Sequence, residues 1–200
     1  MGINIYKAAI GSFIMPVFTA LFAIFMPDVH TSFNYIIMAV FVVNIVSFLA
    51  MLAIFKKKKR PNAARLVILF NMLAFSLFFT FPLIKALIGQ TFLQLILFIL
   101  FFVCIGLAIY DQKQEVPLVL PPKESKGRKF VFVFYVIPVL MAIIAGGGNF
   151  IIVREITNFL GQGYVTYVGG VCLYVLGCWF AFFLQSLFYQ GFTKNGVWVK

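Results

Sequence analysis

Acidic residues are scarce in this chain: five Asp and Glu in 200 residues, against sixteen Lys and Arg. The five are Asp28, Asp111, Glu115, Glu124 and Glu155, and all fall in loops or at the ends of apolar runs. No carboxylate stands where a bilayer core would lie, which argues against a proton-coupled carrier built on buried acids. Histidine is scarcer still. The single His30 has no second histidine for an HExxH-type metal site and reads as an ordinary loop residue. Cysteine is limited to Cys104, Cys172 and Cys178, an odd number without CxxC spacing. That excludes a disulfide framework and the usual zinc sites. Cys172 and Cys178, six apart, do not share a helical face, and all three read as small packing residues.

The signatures of common catalytic sites are missing as well. There is no GxSxG turn, and Gly146 to Gly148 is not followed by the Lys-Ser or Lys-Thr of a phosphate-cradling loop. The Lys-Arg-Pro run lacks the rest of a lipid-phosphatase signature, and the Asp-rich motif of the CDP-alcohol phosphotransferases is absent. The chain is expected to be no enzyme and to need no cofactor or metal.

What is present is apolar. Hydrophobic residues make up 64%, aromatics 18% and charged residues only 10%, whereas soluble domains run near half apolar and a quarter charged. So little polar surface cannot coat a water-soluble fold. The fold expected is all-α: a single polytopic membrane helical bundle of about six transmembrane helices, with both termini cytoplasmic. The spans fall at about 8–26, 34–55, 66–84, 92–110, 130–148 and 165–189. A cleaved leader fits the first run poorly: it is too long, Pro16 interrupts it, and no small-x-small site follows. Pro16 is expected to kink that span, whose Ala8, Ser12, Thr19 and Ala23 share one face.

Orientation rests on Lys56, Lys57, Lys58, Lys59 and Arg60, five consecutive cations between two apolar runs. Cations cost several kcal/mol each in a bilayer core, and the positive-inside rule assigns them to the cytoplasm. With the 56–65 and 111–129 segments as cytoplasmic loops, 14 of the 16 cations lie inside and only Lys85 and Arg154 outside. At about 1 kcal/mol per surface cation, the inner face anchors to anionic lipid. This placement accounts for the +11 net charge without nucleic acid as a partner. The 111–129 segment, with Pro117, Pro121 and Pro122, reads as an extended linker. Residues 149–164 read either as an outer interfacial helix or as a continuation of span five to Val153.

Inside the spans a few polar and small residues stand out. Counting about 1.5 Å per residue from the inner ends, Asn44 lies roughly 16 Å deep, Ser76 about 15, Ser47 about 12 and Asn71 about 8. These four are expected to hydrogen-bond across one seam between spans two and three, as interhelical glue or as a midplane binding site. Gly170, Gly177 and Ala181 share a face of span six suited to close helix packing, within the bundle or in a homo-oligomer. Tyr110, Tyr135, Tyr164, Tyr167, Tyr189 and Trp198 lie near the expected interfaces.

Six spans in about 200 residues is a format similar to that of the membrane subunits of vitamin importers, of small permease subunits, and of membrane-embedded immunity or secretion-accessory proteins. Format does not fix function. Two readings follow. One is a non-enzymatic membrane protein that binds a membrane or secreted protein partner, in an accessory or immunity-type role. The other is a membrane component of a small-solute or lipid transporter. Short loops, charge asymmetry and the lack of any N-x-Ser/Thr sequon suit the bacterial cytoplasmic membrane.

Overall fold

The computed structural model describes residues 5–27, 32–58, 61–114, 117–119, 128–144, 154–155, 158–159 and 161–189. Among them are seven helices: α1 (Ile5–Gly11), α2 (Ile14–Phe25), α3 (Ser32–Lys58), α4 (Pro61–Ala86), α5 (Thr91–Lys113), α6 (Arg128–Ile144) and α7 (Gln162–Tyr189). Five helical segments are long and apolar enough to cross a membrane: Lys7–Phe25, Ser32–Ile54, Arg65–Ala86, Thr91–Lys113 and Val165–Tyr189. The apolar stretch of α6, Phe132–Met141, is shorter. The chain is a polytopic helical bundle.

The first span is broken, and Pro16 explains where. A proline ring collides with the carbonyl four residues back and offers no N–H to it. That carbonyl belongs to Ser12. The helix stops at Gly11, turns through Ser12 and Phe13, and restarts at Ile14, so the break comes a turn before Pro16 rather than at it. Of the expected small-residue stripe, Ser12, Thr19 and Ala23 are buried. Ala9 rather than Ala8 completes it at the near end, since Ala9, Ser12, Pro16, Thr19 and Ala23 follow one face at alternating three- and four-residue spacing.

The basic segment is less of a loop than the sequence suggests. α3 runs through Lys58 and α4 opens at Pro61, leaving only Lys59 and Arg60, which lie outside the described residues. Lysine and arginine are good helix formers, and proline at the first helical position is favoured, so both helices extend past the apolar segments. We call this the basic end of the bundle, and the other the far end.

Two further boundaries differ from expectation. α5 continues to Lys113, and the described part of the next segment folds back instead of extending. The Asp111 carboxylate accepts the Leu118 N–H at 2.8 Å and the Val119 N–H at 3.5 Å, while Gln112 Nε2 donates to the Val119 carbonyl at 3.3 Å. A carboxylate that satisfies two backbone donors outcompetes an open chain. Asp111→Ala is therefore expected to release this turn, with faster protease cleavage between α5 and α6 and little change in the spans. The other boundary is Lys85, which lies inside α4 and is fully buried, not in an outer turn. Turning instead falls to Leu87–Gln90, where the Gln90 N–H reaches the Leu87 carbonyl and Gly89 takes φ +87°, a backbone conformation that favours glycine.

α4 and α7 form the centre. Their contact is the most extensive in the bundle; α1, α2 and α3 pack on α4, while α5 and α6 pack chiefly on α7. Half of the α4 span is buried, against 11% of the α5 span, which marks α5 as peripheral and lipid-facing. Position 170 meets Leu83 and position 177 meets Ser76, so α7 runs antiparallel to α4. The main apolar cluster joins Ala20, Ala23, Ile37, Phe78, Phe81 and Ile84. A second, nearer the basic end, joins Ala9, Phe48 and Val67. Of the 149–164 segment, Arg154, Glu155, Asn158 and Phe159 are helical and exposed, Phe159 by 89%. The other positions from 145 to 160, the triple glycine included, lie outside the described residues.

Candidate functional site: a far-end cavity and a buried polar node

Helix ends in a membrane leave carbonyls that water cannot reach, so the protein must supply donors. At the far end it does so with three side chains. Lys85 Nζ donates to the Ile24 carbonyl of α2 at 2.7 Å. Gln94 Nε2 of α5 donates to the Ile84 carbonyl at 2.8 Å, and the Tyr167 hydroxyl of α7 to the Ala86 carbonyl at 3.3 Å. Lys85 also places its charge at the negative end of the α2 dipole. α2 ends at Phe25, so no further helical turn serves the Ile24 carbonyl, and a side chain from another helix takes the role.

Beside this latch lies a cavity of about 360 Å³. Phe22 and Met26 of the α2 end, Pro82 of α4, Ile144 of α6 and the first half of α7 wall it. Glycines shape it. Gly170 lets α7 approach α4 closely: a Cβ there would stand 3.2 Å from the Leu83 Cα. At Gly169 a Cβ would meet nothing within 4 Å, and this residue lines the open space. Among the described residues of the lining, Thr166 and Cys172 carry the polar side-chain atoms, and none is a carboxylate, histidine or lysine. Its volume falls in the range of small-molecule sites, and its chemistry suits an apolar guest.

The expected seam of Asn44, Ser47, Asn71 and Ser76 does not form as a unit. Ser76 Oγ donates to its own helix at the Met72 carbonyl, 2.9 Å away, and its backbone faces α7. Ser47 is half-buried on α3. Asn71 turns instead to the first span, where its Nδ2 donates to Ser12 Oγ at 2.9 Å; Ser12 Oγ in turn donates to the Ala9 carbonyl at 2.7 Å. Depth is the reason. Asn71 and Ser12 both lie about 6–8 Å from the inner ends of their spans, and α1/α2 runs parallel to α4.

Asn44 lies on a deeper level of α3, about 16 Å from its inner end. Ile37, Phe41, Asn44 and Phe48 form one face of α3. Phe41 meets Phe78 edge-on at 6.0 Å, and Phe48 stacks on Phe13 at 4.3 Å. Asn44 lies between these contacts and is only 3% exposed.

The Gly170, Gly177 and Ala181 face packs within the chain, on α4. A Cβ at position 177 would come within 2.7 Å of the Ser76 carbonyl oxygen, and Ala181 is fully buried. On the neighbouring face Tyr174 donates to the Leu97 carbonyl of α5 at 2.6 Å, and Trp179 Nε1 to the Phe134 carbonyl of α6 at 2.9 Å. Phe134 lies four residues before Pro138, whose missing N–H frees that carbonyl. Trp179 supplies the donor that Pro138 removed.

Of the basic cluster, Lys56 to Lys58 are helical at the end of α3. No protein-family model, no curated protein and no solved structure matches the chain. Its function must be read from this geometry.

Sequence reasoning missed Lys85, Gln94, Trp179 and the role of Ser12. For three of them a signal existed: a proline at i+4 announces a freed carbonyl at i, a lone lysine between two apolar runs is costly unless paired, and Ser12 matches Asn71 in depth.

Proposed function

We propose that the chain is a non-enzymatic membrane protein that binds an apolar guest, a lipid chain or lipid-like solute, as the membrane component of a transport process. The observation that carries this reading is the far-end cavity, walled by apolar side chains and opened by Gly169. The charge asymmetry supports an orientation with the basic end in the cytoplasm. In that orientation the cavity faces the outer leaflet of a bacterial cytoplasmic membrane, and the basic end rests on anionic inner-leaflet lipid.

Gly169→Phe tests the reading, since this residue lines the cavity and a Cβ there would meet nothing within 4 Å. Protein purified in mild detergent is extracted and its bound apolar molecules are quantified by mass spectrometry. The wild type is expected to carry one species at near-stoichiometric level. The variant should lose at least about tenfold, the worth of ~1.4 kcal/mol, at an unchanged melting temperature. Equal retention by both sinks the cavity as the site.

One observation favours a protein partner instead. Gly106 of α5 is exposed with nothing within 4 Å of a Cβ there, among exposed Phe102, Val103 and Leu107. A small residue on a lipid-facing helix allows close approach of another helix, from a partner or a second copy. Stoichiometric co-purification lost in Gly106→Phe would favour this second reading.

A further inference from the structure

One face of α5 carries Phe101, Cys104 and Ala108, and of these Phe101 and Ala108 are buried. Across from it on α7 stand Tyr174 and Cys178, one helical turn apart. The Cys104 and Cys178 thiols hydrogen-bond to each other, and Cys178 also to the Tyr174 hydroxyl. The single hydroxyl proton is already committed to the Leu97 carbonyl at 2.6 Å. Tyr174 therefore accepts the Cys178 S–H, and the Cys178 sulfur accepts from Cys104. An ordered chain runs from thiol to thiol to phenol to backbone, and it sets two of the three cysteines against each other across a helix interface.

We propose that Cys104 and Cys178 form a redox dithiol, oxidised by a membrane-dissolved quinone to a disulfide that ties α5 to α7. Two S–H bonds break and one S–S bond forms; two electrons and both protons pass to the quinone, which leaves as the quinol. Geometry permits the bond. Facing Cα atoms on helices packed about 8–10 Å apart, each about 2.3 Å off its axis, fall near the ~4.4–6.8 Å that a disulfide bridges. Depth selects the oxidant. Cys104 stands near the middle of the Thr91–Lys113 span and Cys178 near the middle of Val165–Tyr189, so both lie about 15 Å from either surface of the hydrocarbon. A charged oxidant would have to carry its charge to that depth, whereas quinone, quinol, dithiol and disulfide are all neutral. A soft monovalent metal held by two thiolates would leave a net negative charge there. Both thiols are half-buried, on the side of the bundle where α5 meets lipid. Cys172 lines the far-end cavity instead, and the proposal does not depend on that cavity.

The test uses the full chain, purified reduced and reconstituted in phospholipid vesicles. A short-tailed benzoquinone is added, and the remaining thiols are alkylated and counted by mass spectrometry. The wild type is expected to lose two of its three thiols, to yield a Cys104–Cys178 cross-linked peptide, and to release one quinol per disulfide. Oxidised glutathione added outside the vesicles is expected to leave all three thiols free. Cys172→Ala should behave as the wild type, while Cys104→Ala and Cys178→Ala should each form no disulfide. Three free thiols after quinone, or a quinone–sulfur adduct in place of the disulfide, overturn the proposal, and this wild-type arm decides alone where a variant does not fold. A disulfide that persists in Cys104→Ala overturns the pairing, and equal oxidation by glutathione overturns the choice of oxidant.

Discussion

Gly177→Val should leave little folded protein in detergent, and Gly177→Ala should already lower the melting temperature. The added Cβ would stand 2.7 Å from the Ser76 carbonyl oxygen, 3.0 Å from Thr80 Cγ2 and 3.1 Å from Phe79 Cβ. The first of these is backbone and cannot step aside without parting α4 from α7. Overpacking of this kind costs about 1–3 kcal/mol per modest insertion, a large part of the ~5–15 kcal/mol that holds a domain together. Gly106→Ala is the control. Nothing lies within 4 Å of that position, and alanine gains up to ~1 kcal/mol of helix propensity over glycine. Matched melting curves by size-exclusion or scanning fluorimetry check both. Equal losses at the two positions would mean that the α4–α7 contact is not where the stability resides.

The second large effect concerns Trp179. Trp179→Phe keeps a ring to stack against Phe134 and Phe183, which lie 5.3 and 5.2 Å away, but removes the donor at 2.9 Å to the Phe134 carbonyl. The expected cost is about 1–3 kcal/mol for an orphaned buried acceptor. Pro138→Ala restores an N–H four residues on, so in that background the cost of Trp179→Phe should fall well below its value alone. A double-mutant cycle reads this as a coupling energy of roughly 0.5–3 kcal/mol. Additive losses would show that the indole acts through its bulk only.

How much of this could be read from residues alone differs by level. The long apolar runs and the cations at their ends give the bundle, because burying a charge in hydrocarbon is so costly that few arrangements survive. Helix ends were less legible. Lys56 to Lys58 continue α3, since water tolerates a lysine-bearing helix as readily as a loop and the bilayer argument stops at the membrane surface. The small-residue face at Gly170 and Gly177 was legible, but its partner was not, because a stripe of glycines states only that something comes close. The polar seam shows the same limit. Depth aligned Asn71 with Ser12 as well as with any residue of α3, and only the packing of α1 and α2 beside α4 decided between them.

The central place of α7 bears on how the protein is made. α4 carries the face that α7 covers, yet α5 and α6 are both synthesised between them. At roughly 5–20 residues per second, the growing chain holds an unfinished α4 surface in the bilayer for several seconds. During that interval α5 lacks the hydroxyl of Tyr174, and the Phe134 carbonyl in α6 lacks the indole of Trp179. Assembly of this centre therefore waits for α7, which inserts between helices made before it. Premature termination before residue 162 would leave α1 to α4 joined by their own apolar clusters, with the α7-facing side of α4 bare and α5 and α6 without their chief packing partner, the natural prey of membrane quality-control proteases.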